Sequence, residues 1–254
     1  GVSTRLTYKD SGVDIDSAND IVSHISRMAV KTLDSRSIHN ENDFGGVIRI
    51  PRFYNKPVLV SSIDGVGSKT SFFRGLKDML GNGNGNGNGN GNGNGNGSCY
   101  YTCGKDIVSH SINDILVKGA DPFFFLDYIA CDKLDKDKII ETVRGMTDMC
   151  SKYNISLVGG ETAEMPLVYN RDELDIAGCI VGIMEEDSII DGKKNINYGD
   201  IVVGLYSDGL HTNGYSLIRH LWPKLDKYIK NKNEKEREEF MKWICSSHRR
   251  CYFI

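Results

Sequence analysis

Residues 58–70 read VLVSSIDGVGSKT, and within them an apolar segment gives way to a candidate site. The run 57–63 is apolar or small, with no polar residue beyond two serines, and predicts a buried strand. It stops at Asp64, and Lys69 follows five residues later, where the pattern predicts the first turn of a helix. The stretch therefore predicts a strand, a turn and a helix in succession.

The turn after this strand has the composition of an anion site beside a cation. Gly65 and Gly67 would let backbone N–H groups approach a phosphate closely, and a helix start attracts phosphate through its dipole. Asp64 would then hold a magnesium ion that also contacts the phosphate. DGVGSK is therefore consistent with a magnesium–nucleotide site, although it lacks the GxxxxGK[ST] pattern of a Walker A loop. The alternative is a tight turn in which the Asp caps the next helix.

Further acids follow other predicted elements. Asp114 lies inside an otherwise apolar-faced helix predicted over 106–118, where Asp is a poor helix former. Glu161 and Glu164 follow a predicted Gly-Gly turn in GGETAEMP. Together with the acid of DGVGSK these side chains could converge on metal ions. The alternatives are that Asp114 faces solvent and that the glutamates stabilise a helix N-terminus.

Two loops contain the remaining candidate residues. TYKDSGVDID, near the start of the chain, contains Lys9 and Asp14 and is either a polar leader to the first helix or a flap over a phosphate chain. GLHTNGYSLIR places His211 and Asn213 between glycines, ahead of a helix. His211 could act as a general acid or base, or it could be a turn residue with a satisfied ring.

The segments alternate between strand-like and helix-like patterns, which predicts an α/β or α+β fold. Helices are predicted over 17–29, 106–118, 135–153 (N-capped by Asp135 or Asp137) and, as a charged solvated helix, 224–242. Strands are predicted over 57–63, 123–130, 155–158, 174–184 and 201–205. Residues 81–97 alternate Gly and Asn and are expected to be a disordered insertion.

Composition excludes several classes of partner. The chain has 254 residues, 31 basic against 34 acidic, so it lacks the basic footprint of a nucleic-acid-binding protein and a polybasic membrane patch. No apolar run approaches the length of a membrane span, and no secretory signal opens the sequence. The seven cysteines form no zinc motif and are expected to be free thiols in a reducing cytoplasm. We therefore expect a cytoplasmic protein without nucleic-acid or membrane partners.

Taken together, the motifs resemble one family. YKDSGVDID (8–16), DGVGSK (64–69), INDILVKGADPFFFLDY (112–128), LVGGETAEMP (157–166), LDIAGCIVG (174–182), IIDG (189–192) and GLHTNGYSLIR (209–219) occur in order. They are similar to the phosphoribosylformylglycinamidine cyclo-ligases, also called aminoimidazole ribonucleotide synthetases. The resemblance covers nearly all of residues 7–222 apart from the Gly-Asn insertion.

The resemblance implies an ATP-dependent ring closure in de novo purine synthesis, with ATP and Mg²⁺ as cofactors and formylglycinamidine ribonucleotide as substrate. It implies that Asp64 and Asp114 hold the metal. Residues matched to ATP or its phosphates are Lys9, Asp14, Gly65, Gly67, Lys69 and Asn113. Residues matched to catalysis or to the substrate are Lys69, Glu161, His211 and Asn213.

The family's architecture implies two domains. An N-terminal ATP-binding α/β domain over 1–187 pairs its sheet with that of a partner in a homodimer, and 188–254 begins a C-terminal α/β domain that is cut short here. Such a chain could be a fragment or part of a fused purine-synthesis polypeptide. Departures from the family pattern are Val47, Ser68 and Asp208.

Two other functions fit the same pattern. One is another ATP-using member of the superfamily, such as a selenophosphate synthetase, a thiamine-monophosphate kinase or a hydrogenase-maturation enzyme. The other is a non-catalytic remnant that binds nucleotide or dimerises.

Overall fold

The computed structural model describes residues 15–38, 45–80, 99–207 and 209–244. In chain order its longer elements are α1 (Ile15–Ala29), β1 (Ser37–Ile38), β2 (Val47–Ile48), β3 (Pro57–Gly65), α2 (Ser68–Leu80), α3 (Cys99–Leu116), β4 (Asp121–Cys131), α4 (Lys136–Lys152), β5 (Ser156–Glu164), β6 (Leu174–Glu185), α5 (Gly192–Asn195), α6 (Tyr215–Lys230) and α7 (Glu234–Ile244). Short 3-10 turns follow α1 and β6. The predicted class, mixed helix and sheet, is confirmed.

The four long strands form one mixed sheet in the order β3-β6-β4-β5. β6 pairs antiparallel with both β3 and β4, while β4 and β5 are parallel. The parallel pair needs a crossover, which α4 provides. β1 and β2 form a separate small hairpin. Among the described strands, β3 and β5 are therefore the two edges of the sheet.

One face of the sheet lies under α3 and α4, and this layer contains most of the core. α3 and α4 cross with their backbones in contact, which two glycines make possible. A Cβ added at Gly104 would lie 1.9 Å from the Thr142 carbonyl oxygen, and one at Gly145 would lie 2.1 Å from the Tyr101 carbonyl oxygen. The two helices can therefore lie side by side on the sheet with their backbones in contact, because neither glycine has a side chain.

Among the described residues, the other face of the sheet is uncovered at β3. β3 alternates between exposed and half-buried residues, and its outward side chains include Leu59 and Ile63, which are 57% and 74% exposed. The prediction that 57–63 is a buried strand is therefore right for the strand and wrong for its burial. β3 is an edge strand with one face open, so burial among the described residues does not explain its apolar run.

The segment after β6 departs further from prediction. Residues 201–205, predicted as a strand, are irregular, and Ile201 and Val202 are almost fully exposed. A strand needs a hydrogen-bonded neighbour, and none of the described strands pairs with this segment. The charged segment 224–242 is helical as predicted, but it is divided into the end of α6 and most of α7. α6 packs its buried Trp222 edge-on against Phe72 of α2.

The predicted N-cap of α4 is confirmed. Asp135 caps α4 by accepting a hydrogen bond from the Lys138 backbone N–H at 3.2 Å. None of the five described cysteines forms a disulfide bond. None of the described helices combines the length and apolar character needed to cross a membrane. The Gly-Asn tract, Cys245 and Cys251 lie outside the described residues, and the domain boundary at 187/188 stays a prediction.

Candidate functional site

The turn after β3 places Asp64 at the start of α2. The β3–β6 pairing ends at Gly65, and the Val66 N–H continues it by donating to the Ile176 carbonyl oxygen at 2.8 Å. Gly67 then adopts a left-handed conformation (φ 65°), in which a residue with a side chain would be strained. α2 begins at the next residue, as the sequence predicts. Asp64 therefore lies at the positively polarised end of a helix.

Asp114 meets Asp64 through a histidine. Asp114 and His110 are four residues apart on α3 and share one helical face. The His110 Nε2 atom lies 2.8 Å from Asp64 Oδ2 and 3.8 Å from Asp114 Oδ1. One ligand atom from each of the three side chains lies within 4.8 Å of the other two. The structure thus brings together the two predicted metal carboxylates and adds a residue that the sequence reasoning missed.

The outer atoms of the two carboxylates accept hydrogen bonds from β3. Asp64 Oδ1 accepts from the Gly65 backbone N–H at 2.7 Å, and Asp114 Oδ2 accepts from the Ser62 hydroxyl at 2.8 Å. Each carboxylate therefore turns its other oxygen toward the common centre. Two oriented carboxylate oxygens are the kind of ligands that Mg²⁺ takes from proteins.

Lys69 occupies a different environment from the one predicted for a phosphate ligand. Its Nζ atom lies 2.5 Å from Asp106 Oδ2, and both side chains are 0% exposed. Nζ also donates to the His211 carbonyl oxygen at 3.1 Å and lies over the rings of Phe73 and Tyr215. These contacts give Lys69 a structural role in the described chain, and contact with a phosphate stays a prediction.

The loop before α6 lies against α2 and α3. His110 Nδ1 is 2.6 Å from the buried Thr212 hydroxyl, and Ser68 and Ser216 share a hydrogen bond of 2.9 Å. The His211 ring contacts the Ser207 hydroxyl at 3.2 Å, while Asn213 is exposed. Both predicted substrate residues therefore lie on the loop whose Thr212 hydroxyl contacts His110, the histidine between the two acids.

Glu161 lies on the far side of the sheet from Asp64. Across the sheet, Asp64 of β3 pairs with Gly178 of β6, which pairs with Asp127 of β4, which pairs with Gly160 of β5. Glu161, the residue after Gly160, is therefore three strands away from Asp64. At the usual spacing between strands this is roughly 14 Å. Within one chain the structure does not bring Glu161 to the metal carboxylates. Glu161 and Glu164 belong to β5, so the predicted Gly-Gly turn is wrong, and so is the alternative that the glutamates stabilise a helix N-terminus.

Glu161 instead borders a cavity of about 510 Å³ between α1, the β1–β2 hairpin and the β5 edge. The cavity reaches the Asp127 side chain beside Gly159 and Gly160 of β5. Most of its other lining residues are apolar. Burial raises the pKa of the Asp127 carboxyl to about 7, and the nearby Glu161 charge adds to the rise. An acid in such a place is neutral or charged depending on small changes in its surroundings.

The remaining predicted residues are either near the cluster or outside the described chain. Asn113 is half-buried on α3, next to Asp114. Gly65 and Gly67 lie in the turn, and a Cβ at Gly67 would meet no atom within 4 Å. Lys9 and Asp14 lie outside the described residues.

Residues 42–184 match the family model described as "AIR synthase related protein, N-terminal domain". The chain belongs to this family. Its curated relatives include proteins named phosphoribosylformylglycinamidine cyclo-ligase. The one from Neisseria meningitidis serogroup B is 40% identical over 220 residues, and the alignment covers 87% of this chain and 58% of the relative. The one from Prochlorococcus marinus (strain MIT 9215) is 40% identical over 92% of this chain and 59% of the relative.

The relative from Burkholderia vietnamiensis is 42% identical over 85% of this chain and 55% of the relative. The chain therefore spans somewhat more than half the length of these AIR synthase relatives. Among solved structures, the thiamine-monophosphate kinase from Stenotrophomonas maltophilia K279a aligns with 65% of this chain and 42% of its own. The TM-score of that alignment is 0.45 and the identity is 16%.

Proposed function

We propose that the protein catalyses the ATP-dependent cyclisation of formylglycinamidine ribonucleotide to aminoimidazole ribonucleotide, with release of ADP and phosphate. The observation that supports this most is the meeting of Asp64 and Asp114 at the start of α2, in a chain whose relatives are named for that reaction. In this reaction the γ-phosphoryl group passes to the formyl oxygen. The amidine nitrogen then attacks the activated carbon, loses a proton, and phosphate leaves with the oxygen as the ring closes.

The residues present fit a divalent cation. Asp64 Oδ2 and Asp114 Oδ1 would hold Mg²⁺, because their other oxygens are already fixed by Gly65 and Ser62. The ion, when bound, supplies charge neutralisation at the phosphate oxygens, which phosphoryl transfer needs more than covalent help from the protein. The N-terminal end of α2 adds a favourable dipole for the phosphates.

The loop before α6 supplies the other proposed groups. His211 would accept the proton from the attacking nitrogen, and Asn213 would contact the substrate, since both lie on the loop that is hydrogen-bonded to α2 and α3. Glu161 would act on the substrate or on ATP from β5, and Lys9 and Asp14 would lie over ATP. Lys69 would hold the loop rather than the phosphates, because it pairs with the buried Asp106 and donates to the His211 carbonyl oxygen.

A homodimer and a cytoplasmic location complete the proposal. The uncovered sheet face presents apolar side chains, among them Leu59 and Ile63, and an apolar patch of this kind is typical of a protein interface. A second copy of the chain is the occupant that the family resemblance implies. The absence of disulfide bonds among the described cysteines is consistent with a reducing compartment.

The test measures ADP release from Mg–ATP with and without formylglycinamidine ribonucleotide. We expect release only with the nucleotide substrate present. Asp114→Asn should weaken Mg²⁺-dependent ATP binding in calorimetric titration, while the exposed Asp187→Asn should leave it unchanged. Equal ADP release with and without the substrate would refute the assignment.

A second candidate is a nucleotide-binding protein without turnover. It is favoured by segment 201–205, which is exposed and pairs with none of the described strands. Calorimetry that detects Mg–ATP binding, together with no ADP release when substrate is added, would support this candidate over the cyclo-ligase.

A further inference from the structure

Three side chains turn one ligand atom each toward a common centre between β3 and α3. His110 Nε2 is 2.8 Å from Asp64 Oδ2 and 3.8 Å from Asp114 Oδ1. Around a six-coordinate ion with bonds of about 2.1 Å, adjacent ligand atoms lie about 3 Å apart and opposite ones about 4 Å apart. Both distances from His110 Nε2 therefore fall in the range expected for ligands of a single ion.

The histidine is oriented as firmly as the two carboxylates. Its side chain is only 11% exposed, and Nδ1 is 2.6 Å from the Thr212 hydroxyl on the loop before α6. When the Nδ1–H donates to that hydroxyl, a neutral imidazole presents the lone pair of Nε2 to the centre. Outer hydrogen bonds that fix the tautomer and ring direction are a regular feature of histidines that bind metals.

We infer that His110 is a third ligand of the divalent cation, so the site binds first-row transition ions such as Mn²⁺ in preference to Mg²⁺. This inference rests on the cation site of the proposed function and adds the metal class that the site selects. Mg²⁺ prefers oxygen ligands and keeps much of its hydration, whereas divalent first-row transition ions accept an imidazole nitrogen more readily, with affinities that rise from Mn²⁺ toward Cu²⁺.

The opposing explanation is that His110 only pairs with Asp64 and orients it. The two explanations differ in one observable property. A ligand gives its nitrogen directly to the ion, so its removal weakens binding of a nitrogen-preferring ion more than binding of Mg²⁺. An orienting partner has no bond to the ion, so its removal weakens binding of both ions by a similar factor.

The experiment titrates the whole chain, without nucleotide, with Mn²⁺ followed by electron paramagnetic resonance and with Mg²⁺ by competition. We expect His110→Met to raise the Mn²⁺ dissociation constant by about tenfold or more, and the Mg²⁺ constant by less than about threefold. His24→Met, at a half-exposed position on α1, is the matched control and should leave both constants unchanged.

Pulsed resonance on the unsubstituted protein gives a second result that does not depend on how the variant folds. Bound Mn²⁺ should show modulation from a directly coordinated ¹⁴N that changes to the ¹⁵N pattern when histidine is isotopically labelled. Mn²⁺ binding without nitrogen coupling, equal losses for the two ions, or no Mn²⁺ binding would each overturn the inference. A nitrogen-coupled ion in a protein without substrate-dependent ADP release would instead contradict only the cyclo-ligase assignment.

Discussion

Replacing Lys69 by methionine removes the positive member of a buried ion pair while keeping most of the side-chain volume. Lys69 Nζ lies 2.5 Å from Asp106 Oδ2, and neither side chain is exposed to solvent. The variant would leave the Asp106 carboxylate buried without its counter-charge. Removing one member of such a pair destabilises a protein far more than the pair itself contributes.

The size of the effect follows from two limits. At 2.5 Å and an effective dielectric constant near 20, the lost attraction is about 7 kcal/mol. Asp106 can avoid most of that loss by taking up a proton. Moving the proton onto a carboxyl whose unfolded pKa is about 3.9 costs about 1.4 kcal/mol per pH unit, or about 4 kcal/mol at pH 7. We therefore expect Lys69→Met to lower the free energy of unfolding by about 3–4 kcal/mol at pH 7.

The same reasoning fixes the direction of the pH dependence. The folded variant holds a proton that its unfolded chain releases above pH 4, so its stability falls as pH rises from 4 to 7. Relative to the unsubstituted protein, the loss should therefore shrink to about 1.5 kcal/mol at pH 5.

Urea unfolding followed by circular dichroism at pH 7 and pH 5 measures both quantities. Two variants serve as controls. Lys69→Met combined with Asp106→Leu should recover much of the loss, because no buried charge remains. Lys136→Met breaks a contact of the same 2.5 Å length to Asp20, but those side chains are 44% and 51% exposed, so the urea midpoint should barely move. A loss under about 1 kcal/mol at pH 7, or one that does not depend on pH, would refute the buried-pair argument.

Three further predictions concern other parts of the fold. Gly104→Ala should lower stability by about 3 kcal/mol or more in thermal melts, because its Cβ would lie 1.9 Å from the Thr142 carbonyl oxygen. Gly204→Ala, where a Cβ would meet no atom within 4 Å, should not lower it. Asp127 holds its proton in the folded chain up to about pH 7, so stability falls as pH rises from about 4 to 7. Asp127→Asn should make stability less dependent on pH over this range. At pH 8 it should raise the free energy of unfolding by up to about 4 kcal/mol. Ile63→Arg should convert the proposed dimer to a monomer in sedimentation velocity, and an unchanged mass would place the interface elsewhere.

The elements that sequence predicted well are those whose signal is local. The period of apolar residues located α3 from residue 106 onward but missed its start at Cys99, and Asp135 marked the start of α4 through its capping hydrogen bond. Burial could not be predicted in the same way. An apolar run such as 57–63 shows that a surface avoids water, but not whether the same chain or a second copy covers it. The run 201–205 has strand composition, yet composition alone supplies no partner strand.

The site residues also differ in whether the local sequence was enough to predict them. Asp64 and Asp114 could be predicted because each stands out from an apolar element. The environment of Lys69 could not be predicted from sequence spacing, because the first turn of a helix can face a phosphate or the core, and the buried Asp106 that contacts Lys69 lies on another helix. His110 had a usable signal, its spacing of four residues from Asp114, but a lone histidine on a helix gains meaning only once Asp64 is seen opposite.

These contacts also connect the stability of the fold with the chemistry of the site. Lys69 holds the His211 carbonyl oxygen, and the next residue, Thr212, holds the ring of His110 against Asp64. Loss of the buried pair would therefore free the loop and, with it, the orientation of the histidine. A cation that binds only the folded arrangement stabilises it in proportion to the logarithm of its concentration. Added Mn²⁺ should therefore raise the free energy of unfolding of Lys69→Met less than that of the unsubstituted protein, because part of the binding energy in the variant is used to order the loop.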